Sequence, residues 1–255
     1  MAEAPGTLEG WYALHDFRKI DWAALMRLSP AERQAVAAEA AAFFEDAQAI
    51  KDAPEGSSAI YSVIGHKADL MIIHLRPTMD QLSALERGFN RTRLATYTTQ
   101  PYSYFSVTEL SLYEASARGG SQNPEELMQN PFVQKRLKPQ IPDYPYACFY
   151  PMNKRRGEAV NWYTASMEER REQMKQHGLT GRKYADTITQ MITGSYGLDD
   201  WEWGVTLFAV DMLPVKKIVQ EMRFDEVSAK YGEFGTFLNG RRVQPADLPK
   251  LLLEA

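Results

Sequence analysis

The stretch YACFYPMNKRRG, residues 146–157, decides how the rest of the chain is read. Tyr146, Cys148 and Tyr150 alternate against Ala147 and Phe149, which is the period of a buried strand. The strand breaks at Pro151 and then releases Lys154, Arg155 and Arg156. A phenol and three cations at one strand end point to a bound anion rather than to packing.

Downstream, Ser166 and Glu169 stand at capping-box spacing before a helix over residues 166–176. Residues 187–196 form a β-branched strand, Gly197-Leu198-Asp199-Asp200 a turn, and residues 201–210 the next strand. A helix from about Pro214 carries Val215, Ile218, Val219 and Met222 on one face, and residues 233–238 make a short last strand. Upstream, residues 9–18 read as a strand and residues 21–53 as a helix restarted at Ser29-Pro30. Two strands, 58–65 and 69–75, surround a Gly65-His66-Lys67 turn. Thr78 and Gln81 open a helix, and residues 102–113 form a strand. Both sides therefore read β-α-β-β-α-β. The expected fold is α+β, with tandem ferredoxin-like halves forming a dimeric α+β barrel. Its parts are an N-terminal half (1–113), a connector (114–145), a C-terminal half (146–240) that would hold the ligand, and a tail (241–255).

Hydrophobic residues at 44% and charged residues at 24% suit a globular protein, and a net charge of −4 gives no general attraction to nucleic acid. Yet six cations between residues 131 and 160 face only Asp143 and Glu158, which favours a small anionic ligand. No apolar run is long enough to span a membrane, and MAEAPGTLEGW has neither a basic region nor an apolar core of a secretory signal. The lone cysteine, Cys148, excludes an internal disulfide. A cytoplasmic protein is the expectation.

The four histidines, His15, His66, His74 and His177, have no paired metal-ligand spacing. His177 precedes Gly178, and two readings stay open for it. It is either the last-turn cation of a helix ended by glycine, or a lone axial ligand to a porphyrin iron. No GxGxxG, P-loop or GxSxG occurs. Hard chemistry would have to come from a cofactor.

Four segments carry a resemblance: YPMNKRR at 150–156, HGLTGRKY at 177–184, TGSYGLDDWEWG at 193–204 and MRFDEVSAKYGEFG at 222–235. They resemble coproheme decarboxylase, the haem-synthesis branch of the chlorite-dismutase superfamily. The resemblance implies a homopentamer that binds iron-coproporphyrin III, supplied by an upstream ferrochelatase. With hydrogen peroxide it would convert two propionates to vinyl groups and yield haem b. His177 matches the proximal iron ligand, and Tyr150 the catalytic tyrosine whose radical takes hydrogen from a propionate. Arg136, Tyr150, Pro151, Met152, Asn153, Lys154, Gln190 and Ser228 match porphyrin- and propionate-binding positions. Arg223 would add a third cation beside Arg136 and Lys154, and Lys154 would orient a propionate or manage its protons. Asn153 stands where many relatives have serine. Gln190 replaces the arginine of true chlorite dismutases and speaks against chlorite as substrate. Trp162 reads as core packing or as a stray site of oxidation. The alternatives are a haem-binding or delivery protein without chemistry, and a chlorite dismutase.

Overall fold

The computed structural model describes residues 4–253, so the first three and last two residues of the expected N-terminal half and tail lie outside the described residues. β1 (Thr7–Ile20) leads into α1 (Trp22–Met26) and α2 (Pro30–Gln48). The break between those helices is chemical. Ser29 accepts the Glu32 N–H at 3.3 Å, the Glu32 carboxylate accepts the Ser29 N–H at 2.8 Å, and Pro30 fills the first helical position. β2 (Ser57–Val63), β3 (Leu70–Arg76), α3 (Met79–Asn90) and β4 (Thr98–Ser111) follow, with Thr78 and Gln81 closing a second capping box at α3.

The stretch expected as a connector carries three short helices, α4 (Leu112–Gly119), α5 (Pro124–Met128) and α6 (Pro131–Leu137). Its prolines start helices rather than prevent them. Asn123 and Asn130 accept the N–H groups of Glu125 and Phe132, each with a proline next in line at the first helical position. Leu127, Val133 and Leu137 then pack on Leu8 and Leu110.

The second half runs β5 (Tyr146–Lys154), α7 (Met167–Arg182), β6 (Ile188–Gly194), β7 (Trp203–Ala209), α8 (Met212–Met222), α9 (Glu226–Tyr231), β8 (Gly232–Phe234), β9 (Leu238–Val243) and α10 (Leu248–Leu253). All strand pairings are antiparallel, in a mixed α+β fold with one nine-stranded sheet. Spatial order is β4-β1-β3-β2 in the first half and β6-β7-β5-β9 in the second. β2 pairs with β9 and β4 with β6, so these eight strands close into a ring, while β8 adds to the edge of β5. All eight strands of the ring contribute to one core, including Trp11, Tyr61, Ile73, Tyr104, Phe149, Met191, Phe208 and Leu238. Strand alternation sends the neighbouring residues to the outer face.

On the outside, the halves differ in one respect that matters. α2 buries Val36, Ala37, Ala40 and Phe44 against Ile60 and Ile72, direct helix-on-sheet packing. Phe44 alone contributes roughly 2–3 kcal/mol by burial. α7 has only Arg170 buried, and none of its residues joins the apolar cluster on the outer face of β5, β6 and β7. It packs mainly on α8 and α9, and Arg171 reaches over the Tyr113 ring of α4. α7 therefore stands off the sheet where α2 lies on it.

Two expectations change. α7 does not stop at His177, because helical geometry continues through Gly178 to Arg182, with Lys183 as C-cap. Residues 241–253, expected as a tail, carry regular structure: Arg241–Val243 complete β9, and Leu248 and Leu252 of α10 are buried beside α2.

Candidate functional site

Pro151 shapes the site first. β5 pairs with β9 through residues 146–149 and with β8 through residues 152–154, and Pro151 falls in the gap between partners. Lacking an N–H, it has no ladder bond to lose there. The gap admits the loop between β8 and β9, tied down where the Gly235 N–H donates to the Pro151 carbonyl at 2.8 Å. Only glycine fits that approach, since a Cβ at residue 235 would lie 2.6 Å from the Pro151 ring. The loop brings Phe237 flat onto Tyr150, with ring centroids 4.5 Å apart, and Phe234 closes in at 5.9 Å.

Tyr150, Met152 and Lys154 alternate onto the outer face of β5, over a floor of Cys148, Val205, Leu207 and Ile188. Gln190 is opposite Leu207, which is opposite Cys148, so the amide shares this face two strands away. Tyr150 is buried, and burial holds its phenol well above the usual range while the nearby Arg223 works against that shift. Arg223 lies flat over Phe234, its guanidinium carbon 3.6 Å from the ring centroid. Burial likewise pushes Cys148 up to about 12, so it is an inert thiol.

His177 lies mid-helix on α7. Its Nδ1 is 2.9 Å from Asp225 Oδ2, and Ser228 Oγ donates to the same oxygen at 3.0 Å. Asp225 is also the N-cap of α9, accepting the Ser228 N–H on Oδ1 at 3.1 Å. An ionised carboxylate accepts only, so Nδ1 carries the proton and the lone pair is on Nε2. That nitrogen makes no hydrogen bond among the described residues. Burial lowers the His177 pKa, Asp225 raises it, and the Lys154 charge lowers it further. Lys154 is itself buried, rests 5.0 Å from the Trp162 ring, and has its pKa brought down to about 8 by burial. A Cβ at Gly178 would meet nothing within 4 Å.

The structure thus brings His177, Ser228, Lys154, Met152, Tyr150 and Arg223 to one region, with Gln190 on the same sheet face. The other expected residues have different surroundings. Asn153 is on the opposite face of β5, where its Oδ1 accepts the Glu202 N–H at 2.8 Å. Pro151 contributes shape rather than a contact group. Arg136 is half-buried on α6 and makes no hydrogen bond or ion pair among the described residues. Trp162 is packed edge-on against Tyr231, 5.2 Å between centroids. Asp225 escaped the sequence reading, although a helix N-cap within the MRFDEVSAKYGEFG segment was its signal.

A standing-off helix, one imidazole nitrogen held free by a carboxylate, an apolar floor and nearby cations fit a flat, anionic, iron-bearing ligand. A mixed α+β ring with a carboxylate-tied histidine on a helix outside its sheet is the class of protein that the fold and site define. The chain belongs to the chlorite dismutase family, whose profile matches residues 33–243. It is 52% identical over 254 residues to a protein of Haloquadratum walsbyi named as a candidate haem-binding protein. That match covers 99% of this chain but 48% of the relative, so the chain spans about half the relative's length. A solved structure of a novel haem-binding protein from Thermus thermophilus superposes with a TM-score of 0.90 at 43% identity, covering 99% of this chain and 98% of that one. A point variant of the chlorite dismutase from Candidatus Nitrospira defluvii has a TM-score of 0.75 at 19% identity over 96% of both chains, a likeness of fold.

Proposed function

We propose that the protein binds iron-coproporphyrin III through His177 and, with hydrogen peroxide, decarboxylates two propionates to vinyl groups, yielding haem b. The observation that carries the reading is His177 itself, its Nδ1 tied to Asp225 and its Nε2 free, on a helix that stands off an apolar sheet face. Each propionate loses one hydrogen from its β-carbon and its carboxylate as carbon dioxide, two electrons in all. One hydrogen peroxide accepts them with two protons and becomes two waters. Bound iron supplies the means of drawing oxidising equivalents from peroxide.

The chain's residues do the rest. Asp225 fixes the His177 tautomer and strengthens Nε2 as a donor. Tyr150, kept protonated by burial, has a hydrogen to give up and then takes one from the propionate β-carbon. Lys154, with a pKa of about 8, offers a charge-assisted hydrogen bond to a carboxylate and exchanges a proton near neutrality. Arg223 and Arg136 hold further carboxylates, and Gln190 offers peroxide a neutral partner. The repeated strand order supports two ferredoxin-like halves, residues 1–113 and 146–240, joined by residues 114–145. A cytoplasmic homopentamer fed by a ferrochelatase completes the proposal. No helix among the described residues is long and apolar enough to cross a membrane.

The relatives' names, which say haem-binding, fit a second reading equally well: a haem-binding or delivery protein without turnover. Mass spectrometry of porphyrin extracted from the Tyr150→Phe variant after peroxide separates the two. The decarboxylase reading predicts bound, unaltered coproporphyrin in the variant and divinyl product in the parent. Product in both removes the tyrosine from the mechanism, and product in neither favours the binding protein.

A further inference from the structure

We propose that Lys67, at the tip of the β2–β3 hairpin, is a carboxylate-binding residue of the porphyrin site, anchoring a propionate at the edge where Tyr150 stands. The inference rests on the porphyrin reading above and adds a residue from the other half of the chain.

The hairpin tip is held against the second half. Gly65 takes φ +99°, a turn conformation suited to glycine, and the Ile64 N–H donates to the Asn239 carbonyl at 2.9 Å. From the tip, the Lys67 ammonium donates to the Phe237 carbonyl at 2.7 Å. Phe237 is the residue whose ring lies on Tyr150. Phe237 packs with Cys148 and Tyr150 in the apolar cluster on the outer face of β5, so the carbonyl that holds Lys67 belongs to the residue covering the phenol.

The charge is placed but not neutralised. Lys67 is exposed and forms no ion pair among the described residues. The nearest acid in sequence, Asp69, is already engaged by the Ile20 N–H, the Trp22 indole and Lys19. An ammonium has three donors, and the Phe237 carbonyl uses one. Two phenylalanines therefore flank Tyr150, each with a cation behind it: Arg223 over the Phe234 ring and Lys67 on the Phe237 carbonyl. A substrate whose carboxylate must be held while its neighbouring carbon is oxidised finds a cation on each of the two phenylalanines packed against the phenol. The propionate held there is one of the two that become vinyl groups, so haem b, which lacks it, gains nothing from Lys67.

The test compares the wild-type chain with Lys67→Gln and Lys67→Arg by Soret titration, using iron-coproporphyrin III and haem b as probes. Losing a solvent-facing, charge-assisted contact should weaken coproporphyrin binding by about three- to tenfold. Haem b binding should change by less than about twofold, and arginine should restore most of the coproporphyrin affinity. Equal weakening of both ligands would mean that Lys67 merely clips the loop before β9, and would overturn the proposal. So would unchanged affinity for both. A wild type that binds neither porphyrin would instead overturn the porphyrin reading itself.

Discussion

Asp225→Asn is the substitution whose consequences can be worked furthest. The carboxylate has three donors: His177 Nδ1 at 2.9 Å, Ser228 Oγ at 3.0 Å and the Ser228 N–H at 3.1 Å. An amide keeps one acceptor oxygen and turns the other into a donor. With its oxygen on the α9 N-cap, asparagine keeps the cap, and its NH2 meets the Nδ1–H of His177 donor to donor. With its oxygen on His177, the NH2 faces the Ser228 N–H and the cap is lost, at about 1 kcal/mol. Asparagine is as good a cap as aspartate, so the first arrangement is favoured and the fold should lose less than about 1 kcal/mol. The axial ligand is hit harder. Losing a hydrogen bond to a charged group removes roughly 1.5–3 kcal/mol, and loss of such a supporting partner typically weakens metal affinity about 10- to 100-fold. Thermal denaturation of the ligand-free protein and Soret titration with iron-coproporphyrin III measure the two effects separately. Affinity within about twofold of wild type would refute the claim that Asp225 sets the His177 ligand.

Other expectations follow from individual side chains. The Lys154 pKa of about 8 means its charge is lost as pH rises through 8, so coproporphyrin affinity should fall between pH 7 and 9, and Lys154→Met should abolish that dependence. The same variant removes a buried ammonium and should raise the stability of the ligand-free protein by about 1–3 kcal/mol in chemical denaturation. Leu248→Ala, in the helix that reads like a tail, should destabilise by about 2–5 kcal/mol, whereas a loose tail would give almost nothing. Burial depresses His15 and His74 from 6.5 to about 3, so the unfolded chain binds more protons between those values. Their contribution is complete above pH 6.5 and declines as pH falls, by about 1.4 kcal/mol per pH unit for each histidine. His15→Phe should flatten the acid limb of the stability curve, and an unchanged limb would count against a neutral histidine in the ring core.

What the sequence made legible was local chemistry. The capping boxes at Thr78 and Ser166 form as their spacing implies, because both partners lie within one turn, and Ser29-Pro30 restarts the helix as expected. The β5 alternation likewise carries Cys148 and Tyr150 to one face, but the strand runs on through Pro151 to Lys154 instead of breaking there. The end of α7 was not legible. Gly178 has the form of a stop, but it lies mid-helix, where its missing side chain leaves open space. Asn123-Pro124 and Asn130-Pro131 look like breaks when prolines are counted and are helix starts once each asparagine's hydrogen bond is seen. The partner of His177 comes from 48 residues away in sequence, and no local pattern pairs a histidine with a distant N-cap aspartate. Lys67 likewise reaches Phe237 across 170 residues. Contacts of that kind exist only once the ring has closed.

The central claim is tested most directly by counting carbon dioxide released when the protein, loaded with coproporphyrin labelled at the propionate carboxyls, is given measured hydrogen peroxide. The account predicts two carbon dioxide molecules per porphyrin, one for each peroxide consumed, with release stopping when haem b has formed. Peroxide consumption with the tetracarboxylate intact would contradict it.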